Sequence, residues 1–424
     1  MPLPTPSVWM DLTTSLRAGH QTNGTTRVET RLAHELTEIL GAQLKFCRYH
    51  SSKFVSTPPI VITASSNDPK RPRPKRGPGA SNAKARSLGR RFERAIRRSI
   101  KRAVGKIQKD LTHDHFPEAS EGDCIFLAGE NWSSRYDYEV LRSLRVKRKL
   151  KIVALCQDLI PVTHPQFFDS SEFVDRYQEY TNFLLSDVDL VVAISHSTAA
   201  ELEKLKHATE HETPIHVVNP GSDFDPSASS QPPQSYMELT ATPFVLSVST
   251  IQSRKNYDLI YRVWRRFAEE GRLDIPGVVI VGQRGFGCDD LLWQIARDPS
   301  VKGRIIVLHN ASDDELKWLY QNCRFTLYPS FVEGWGLPIS ESLANGKVCI
   351  ASNTSSMPEA GQGLSIHIDP INTLGWYECI LSLSQNAADL AERELRIQNE
   401  YQPKTWHDAA QEIANLLIAS RVSK

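Results

Sequence analysis

The stretch Tyr328–Ser342 reads Tyr-Pro-Ser-Phe-Val-Glu-Gly-Trp-Gly-Leu-Pro-Ile-Ser-Glu-Ser and places two carboxylates, Glu333 and Glu341, around a glycine-rich turn. The preceding run Arg324–Tyr328 predicts a short buried strand, and Leu337–Ala344 can begin a helix. Glu333 would then lie on a loop beyond the carboxyl end of a strand, where open α/β sheets bind ligands. Two acceptors beside a row of backbone amides suit a polyhydroxylated ligand that carries phosphate, such as a nucleotide sugar. The plainer interpretation is a capped strand–turn–helix whose glutamates lie at the surface.

The composition is that of a globular protein long enough for two domains. Its 424 residues exceed a single core of ordinary size, and 40% are hydrophobic and 23% charged. The seven cysteines are scattered, with no Cys-x-x-Cys pair and no Cys/His cluster at zinc spacing, which favours a reducing compartment and buried thiols. No apolar run is long enough to span a bilayer, and the N-terminus lacks the pattern of a signal peptide. We therefore expect a cytoplasmic protein.

A net charge of +1 conceals a strongly basic segment. Residues 70–109 contain sixteen Lys and Arg and one acid, Glu93. Within residues 88–111, apolar side chains recur every three or four positions, which predicts a cationic helix with one narrow apolar stripe. Such a helix can lie on an anionic membrane surface, pack lightly on a domain as a solvated face, or bind nucleic acid. Aromatic residues for base stacking are almost absent, which disfavours nucleic acid. Of the other two interpretations we favour docking on an anionic membrane surface.

Short β-branched runs alternate with helical stretches along both halves of the chain, which predicts two α/β domains with parallel sheets. A Pro/Ser-rich break at Asp225–Gln234 predicts the linker between them. We assign residues 1–230 to a first domain with a basic insertion at about 65–110, residues 240–400 to a second domain, and residues 401–424 to a C-terminal helix. The predicted strands are Ser7–Leu12, Cys124–Ala128, Ile152–Leu155, Leu190–Ile194, Ile215–Val218, Phe244–Ser249, Val278–Val281, Ile305–Leu308, Phe325–Tyr328 and Val348–Ala351.

A second chemical motif, Ser247–Asn256, follows the first strand of the second domain. Its Arg254 and Lys255 lie at the start of the next helix, whose free amides already favour an anion. Two fixed cations there can bind a diphosphate and stabilise the negative charge that develops as the bond to a sugar breaks. Taken alone, an adjacent Arg-Lys is better explained as a solvated pair. Together with Glu333 and Glu341 it favours a diphosphate site.

Several linked motifs, in the correct order, resemble the retaining glycosyltransferases of family 4, and among them bacterial mannosyltransferases that build surface polysaccharides. In the second half these are Arg-Lys-Asn at 254–256, Ser-Asp-Asp-Glu-Leu at 312–316, the two-glutamate block, and Ser-Met-Pro-Glu-Ala-Gly at 356–361. In the first half, Gly-Thr-Thr-Arg-Val-Glu at 24–29, Asp-Leu-Ile-Pro-Val-Thr-His-Pro at 158–165 and Ile-Ser-His-Ser-Thr at 194–198 are similar to the family's glycine loop and acceptor-side loops. The basic insertion departs from the family pattern.

The resemblance implies a GT-B fold, in which two Rossmann-like parallel-sheet domains face each other across a cleft and the C-terminal helix crosses back to the first domain. Glu341 would hydrogen-bond the ribose hydroxyls of the nucleotide. Glu333 would contact a hydroxyl of the transferred sugar or support charge at its anomeric carbon. Arg254 and Lys255 match the pair that binds the diphosphate. The remaining donor-side positions implied are the backbone of Gly334, Trp335, Gly336 and Leu337 at the sugar, Ser249 on the Arg-Lys loop, and His309 or Asn310 at the base.

In the first domain the resemblance points to three residues. Asp158 and His164 match polar positions that face the donor, and either would orient the donor or the acceptor hydroxyl during catalysis. A loop histidine hydrogen-bonded near Pro165 explains His164 equally well. Gly24 would form a tight turn beneath the phosphates, although an ordinary turn glycine is nearly as good an explanation.

The implied reaction transfers a sugar, with GDP-mannose as the favoured donor, to a saccharide linked to polyprenyl diphosphate at the inner face of the plasma membrane, where the cationic helix would hold the enzyme. Transfer would proceed with retention and with no metal or other cofactor. The second half has no Asp-x-Asp signature at a strand end, which agrees with the last point. Alternatives of the same fold are a nucleotide-sugar epimerase and a phosphorylase; the pyridoxal-dependent phosphorylases are disfavoured because no Lys stands in an obvious cofactor-binding context. From other classes, a non-catalytic nucleotide-sugar-binding scaffold on the membrane and a nucleic-acid-binding protein stay open.

Overall fold

The computed structural model describes residues 6–18, 24–58, 116, 118–133, 136–209, 212–223, 242–309 and 311–422. Two separate α/β sheets form within these residues, one in each half of the chain, so the predicted fold class is confirmed. The predicted linker at 225–234, the basic insertion with its helix at 88–111, and Asn310 lie outside the described residues.

The first sheet has seven strands among the described residues. They are Val8–Asp11 (β1), Leu44–His50 (β2), Lys53–Thr57 (β3), Cys124–Leu127 (β4), Lys151–Cys156 (β5), Leu190–Ala193 (β6) and Ile215–Val217 (β7). Their order across the sheet is β3-β2-β1-β4-β5-β6-β7. Neighbouring strands are parallel except β2 and β3, which form an antiparallel hairpin at one edge. Every residue of β1 and β4 is buried, as expected of central strands covered by helices on both faces.

The helices of the first domain cover this sheet. They are Thr13–Ala18 (α1), Gly24–Leu40 (α2), Tyr138–Arg148 (α3), Ile160–Thr163 (α4), Ser171–Ser186 (α5) and His196–Thr209 (α6). Side chains of Asp137 and Ser170 accept hydrogen bonds from first-turn amides of α3 and α5, which fixes where these helices begin. Helix α2 buries Leu32 and Leu36 on the face that packs on the sheet, and its N-terminus is left at the sheet's carboxyl edge.

The second sheet has six strands among the described residues, and all neighbours are parallel. They are Phe244–Val248 (β8), Gly277–Val281 (β9), Ile305–Leu308 (β10), Thr326–Tyr328 (β11), Cys349–Ser352 (β12) and Ile366–Ile368 (β13), in the order β10-β9-β8-β11-β12-β13. The helices of this domain are Tyr257–Glu269 (α7), Asp289–Arg297 (α8), Asp313–Asn322 (α9), Leu337–Ala344 (α10), Met357–Ala360 (α11), Thr373–Gln385 (α12) and Ala387–Glu400 (α13).

The last helix, Trp406–Val422 (α14), returns to the first domain and packs along α2. The chain enters it with the Trp406 amide donating to Asp223 Oδ1 at 2.7 Å, and near its end Arg421 donates to Gln43 Oε1 at 3.3 Å. Ile413 and Leu417 are buried in this contact, so the two domains are joined at two points of the chain. Within the described residues, no helix has both the length and the apolar character needed to cross a bilayer. All seven cysteines are unpaired; six of them are buried, as predicted, and Cys379 is partly exposed.

Strands β2, β3 and β13 are not among the predicted strands. The two-residue turn of the β2–β3 hairpin, Ser51-Ser52, lacks the Asn-Gly or Asp-Gly signal of a tight hairpin. Helix α12 ends at Gln385, and the side chain of Asn386 accepts from the Asp389 amide and starts α13.

Candidate active site

The site residues of the second domain gather where β8 and β11 lie side by side. Strand order reverses here, since β9 and β10 continue on one side and β12 and β13 on the other. Such a switch point opens a crevice at the carboxyl edge of a parallel sheet. The 3-10 turn Ser253–Lys255 follows β8, and the loop that carries Glu333 follows β11. Asn256 ends the turn at a φ of 57°, and its side chain donates to the Pro370 carbonyl at 2.9 Å, which holds the turn in place.

Arg254 and Lys255 both contact Glu333 in this crevice. Arg254 Nη1 lies 2.9 Å from Glu333 Oε2, and Lys255 Nζ lies 2.5 Å from Glu333 Oε1. Lys255 also donates to the Tyr328 hydroxyl at 2.9 Å, and Ser330 donates to the same glutamate oxygen as Lys255. The three charged side chains are at most 12% exposed. The cationic pair and the first glutamate of the two-glutamate block therefore occupy one crevice.

Burial and charge set the ionisation of this group. Burial alone would raise the pKa of Glu333, but the positive charges of Arg254 and Lys255 outweigh it and lower the pKa to about 2. Burial and the neighbouring Arg254 lower the pKa of Lys255 to about 8, although Glu333 opposes them. Near neutral pH the three side chains thus carry two positive charges and one negative charge. This excess positive charge suits a bound diphosphate.

Glu341 has partners from both domains. It lies in α10, which begins after Gly336, a residue with a φ of 109° that favours glycine. Arg27 Nη1 on α2 lies 2.5 Å from Glu341 Oε1, and the Tyr320 hydroxyl donates to Glu341 Oε2 at 2.9 Å. Glu341 is 2% exposed. Its charge is therefore compensated across the cleft by a residue of the first domain.

The glycine-rich turn packs directly on the first domain. A Cβ on Gly334 would collide with the Gln157 carbonyl oxygen and lie 2.9 Å from the Cβ of Asp158. The Thr198 hydroxyl donates to the Gly334 carbonyl at 3.4 Å. Only glycine permits so close an approach at this position, so the turn is the place where the carboxyl edges of the two sheets meet.

Asp158 and His164 extend the crevice from the first domain. Asp158 follows β5, and its Oδ1 accepts from the Ile160 amide at 3.0 Å. Burial raises the pKa of Asp158, while the positive charge of Arg254 opposes that rise. Partial burial and the repulsion of Arg254 lower the pKa of His164. Its Nδ1 lies 2.9 Å from the Thr163 hydroxyl, within hydrogen-bond distance. His164 therefore has a local hydrogen bond and also lies near the cationic pair.

The other donor-side candidates occupy different positions around the crevice. The Ser249 hydroxyl lies 2.7 Å from that of Tyr257. The buried Trp335 indole donates to the Ser340 hydroxyl at 3.0 Å within its own domain. His309 lies after β10, with Nδ1 2.7 Å from the Gly282 carbonyl oxygen. Gly24 is the first residue of α2, and a Cβ there would meet nothing within 4 Å. Residues 19–23, which precede it, lie outside the described residues, so the turn expected here stays a prediction.

The sequence did not identify Glu359 and Arg27 as residues that hold the two domains together. Glu359, in the Ser-Met-Pro-Glu motif, accepts from the His196 amide at 3.0 Å on both oxygens and from the Asn219 side chain at 3.0 Å. It thereby caps the N-terminus of α6 from the opposite domain, a favourable place for a carboxylate. Arg27 was part of a quoted motif without an assigned role. Both residues lie in motifs that resemble the family pattern. A partner in another domain, however, leaves no pattern in the neighbouring sequence that would indicate the contact.

One group of side chains outside the crevice has atoms suited to a metal ion. Glu35, Glu38 and His407 lie close together where α2 meets α14, with His407 Nδ1 3.1 Å from Glu35 Oε2. Exposed acidic groups often assemble in this way, and Glu35 and Glu38 lie two turns or more along α2 from Arg27. They have no part in the crevice.

The comparisons with known proteins bear on this geometry. Residues 234–365, which contain Arg254, Lys255, Glu333 and Glu341, match the family model described as glycosyl transferases group 1. Sucrose-phosphate synthase from Thermosynechococcus elongatus has a similar structure over 97% of this chain and 98% of its own, with a TM-score of 0.62 at 15% identity. The fold is GT-B. Anabaena HepE in complex with UDP is similar over 98% of this chain and 100% of its own, with a TM-score of 0.58 at 15% identity.

Among curated proteins, O-antigen chain mannosyltransferase B of Escherichia coli is 27% identical over 223 residues. The match covers 52% of this chain and 58% of that relative's length, so the chain spans little more than half of it. Together with the family match in the second domain, this similarity relates the GT-B chain to glycosyltransferases.

Proposed function

We propose that this protein is a retaining glycosyltransferase of family 4 that moves a sugar from a nucleoside diphosphate to a saccharide acceptor. The convergence of Arg254 and Lys255 on Glu333, at the switch point of a GT-B fold, carries the proposal. Two buried cations with one counter-charge can hold a diphosphate that water would otherwise solvate. The residues need no metal for this, and activity in excess chelator is expected to equal activity without it.

The donor is mannose carried on GDP. Similarity to an O-antigen chain mannosyltransferase supports the sugar and a role in surface polysaccharide synthesis. The diphosphate binds Arg254 and Lys255, and the sugar lies against the backbone of Gly334–Leu337. The ribose binds Glu341, whose carboxylate has lone pairs beyond those used by Arg27 and Tyr320. His309, after β10, flanks the base.

Transfer proceeds on one face of the sugar. The bond between the anomeric carbon and the phosphate oxygen breaks, and its electron pair passes to the diphosphate, where Arg254 and Lys255 stabilise the new charge. The acceptor oxygen bonds to the anomeric carbon from the side that the phosphate leaves, and its proton passes to the departing phosphate oxygen. Glu333 supports positive charge at the anomeric carbon, and Asp158 and His164 orient the acceptor hydroxyl. Contact between Gly334 and Gln157 keeps water from the reacting atoms.

The acceptor is a saccharide linked to polyprenyl diphosphate, and the cationic segment 88–111 holds the enzyme at an anionic membrane surface. Neutralising Arg94, Arg97, Arg98 and Lys101 is expected to lower binding to vesicles that contain anionic lipid, measured by co-sedimentation. Unchanged binding would remove the membrane part of the proposal and leave the reaction untouched.

A donor panel tests the reaction. The full-length protein is incubated with GDP-mannose, UDP-glucose, dTDP-glucose and ADP-glucose, with and without an oligosaccharide acceptor, and free nucleotide and extended saccharide are measured. We expect GDP release from GDP-mannose that depends on the acceptor. A sugar that changes configuration while still attached to its nucleotide would indicate the epimerase instead. Binding without release, whatever the acceptor, would indicate the non-catalytic scaffold.

A further inference from the structure

A separate cavity of about 460 Å³ opens in the first domain. Its walls come from Thr13, Leu16 and Arg17 of α1 and from the hairpin end Arg48–Ser52. The volume lies within the range of small-ligand sites, which is about 300–1,000 Å³. None of these side chains belongs to the crevice around Glu333, so the cavity is a second candidate site on the same domain pair.

The lining of this cavity has one sign of charge. Arg17 and Arg48 are exposed cations, His50 lies beside them, and none of the eight lining residues is acidic. Arg17 donates to the Ser133 hydroxyl at 3.3 Å, and Arg48 forms no ion pair with any residue of the described ranges. Guanidinium groups without a carboxylate partner are suited to bind phosphate oxygens in pairs.

The walls of the cavity are held by contacts that do not involve Arg17 or Arg48. The Tyr49 amide donates to the Thr13 hydroxyl at 2.7 Å, which joins the hairpin to the first residue of α1. The Tyr49 ring is stacked on Tyr136 at 4.9 Å between centroids. Asp11 accepts from Thr13 Oγ1 at 2.5 Å and so anchors the start of α1 to β1. The cavity is therefore built on the sheet itself rather than on free loops.

We propose that this cavity binds a phosphate or diphosphate group of the acceptor, at a distance from the hydroxyl that receives the sugar. The inference rests on the proposed function. Arg17 and Arg48 hold the anionic group, Ser51 and His50 supply further hydrogen bonds, and Leu16 offers an apolar patch beside them. The acceptor class is thus an anionic oligosaccharide rather than a neutral one.

The position of the cavity sets the length of that acceptor. It lies at the carboxyl ends of β1 and β2, and Asp158 follows β5 at the same edge of the same sheet. β1 and β5 are separated by β4, so two to three strand spacings, about 10–15 Å, lie between the cavity and Asp158. A phosphate attached directly to the acceptor sugar would not span this distance. The site therefore selects saccharides in which at least one further sugar separates the phosphate from the reacting hydroxyl.

The experiment compares one oligosaccharide with and without a terminal phosphate, using Arg48→Gln and Arg17→Gln and the control Lys45→Gln. Lys45 is exposed on the same strand as Arg48, and its replacement by Gln also removes one positive charge, but outside the cavity. We expect each arginine variant to raise KM for the phosphorylated acceptor by about tenfold, with kcat and the KM for the unphosphorylated acceptor unchanged. Lys45→Gln should change neither. Equal shifts for both acceptors, or an equal shift in the control, would overturn the proposal.

Direct binding separates this inference from the reaction. Inorganic diphosphate, the phosphorylated oligosaccharide, and the same saccharide on lipid in vesicles are titrated into the full chain without a donor. Binding of the soluble phosphorylated saccharide that weakens in Arg48→Gln supports the cavity even if no sugar transfer is found. Binding only of the lipid-borne form supports it with the lipid linkage as the source of the phosphate. Sugar transfer with no dependence of binding on Arg48 overturns the cavity and leaves the transferase intact.

Discussion

The two glutamates of the two-glutamate block are eight residues apart and are held in opposite ways. Glu333 is bound by Arg254 and Lys255, all three in one domain and within two neighbouring loops. Glu341 is bound by Arg27, which lies on the opposite domain, and by Tyr320. The first carboxylate is therefore part of a site that one domain completes alone. The second carries the contact that brings the other domain to that site.

This difference separates two physical tasks. In the Glu333 group two buried cations lie beside one anion, which leaves a net positive charge for a polyanionic ligand. The Glu341–Arg27 pair and the Glu359 cap on α6 are charged contacts between the two domains. A ligand that binds to the same charges would therefore change the relative position of the domains. Substitutions at one glutamate should therefore affect the stability of a single domain, and those at the other should affect the coupling between domains.

The largest effect is expected when Glu333 is replaced by Gln. Arg254 and Lys255 would stay buried without a counter-charge, at a cost of about 3–5 kcal/mol in the free energy of unfolding of the second domain. Denaturant titration followed by the fluorescence of the tryptophans measures this loss. Adding Lys255→Met to Glu333→Gln removes one buried cation and should recover part of it. A double variant no more stable than Glu333→Gln would contradict the charge balance.

Replacing Arg254 by Ala comes next. One of the two charges that stabilise the departing diphosphate is lost, so kcat should fall by about 10²–10³, or about 2.7–4 kcal/mol. Arg262→Ala is the matched control, because Arg262 is an exposed arginine of α7 paired with Asp258 outside the crevice. Steady-state rates with GDP-mannose are compared for both. Equal losses in the two variants would argue that overall charge, and not the crevice, matters.

A smaller effect is expected for the pair across the cleft. Arg27→Gln, Glu341→Gln and the double variant form a cycle whose coupling free energy should be about 1–3 kcal/mol in favour of the native pair. Thermal unfolding of the four proteins gives the coupling. The corresponding cycle of Arg31 and Asp313, whose atoms lie 3.4 Å apart with Asp313 53% exposed, should give at most about 1 kcal/mol. Additive losses at Arg27 and Glu341 would place the two groups apart in solution.

The smallest effect is expected from a change in pH. Because the pKa of Lys255 in the free protein is about 8, its charge is present below pH 8 and lost above it. A bound diphosphate favours the charged form, so nucleoside diphosphate binding should be level below pH 8 and weaken by about tenfold per pH unit above it. Calorimetric titration at pH 7, 8 and 9 checks this slope. Lys255→Arg keeps its charge throughout and should abolish the slope; a slope that persists would assign it to another group.

Much of the second domain is predictable from its sequence because its site is local. Arg254 and Lys255 directly follow one strand and Glu333 directly follows its neighbour, so the rule for carboxyl edges of parallel sheets brings them together. The same rule is silent about Arg27, which is 314 residues from Glu341 along the chain and meets it only because two domains face each other. Side-chain spacing predicts neighbours within an element, not partners across a cleft.

The first domain was less predictable for a different reason. The β2–β3 hairpin has alternating buried and exposed residues, but Ser51 and Ser52 take a left-handed turn with φ of 50° and 61° that Ser seldom adopts. Without a glycine or asparagine there, the hairpin had no turn signal. The cationic cavity at its end therefore became visible only once the hairpin was folded beside α1.

The most direct test of the central claim is the affinity of GDP and UDP for the wild type and for the double variant Arg254→Gln/Lys255→Gln, with Arg262→Gln as control. If the cationic pair at Glu333 holds the diphosphate of an activated sugar, at least one nucleotide binds the wild type and the control equally, and its Kd rises by about 100-fold or more in the double variant. Equal affinity in all three proteins would contradict the account.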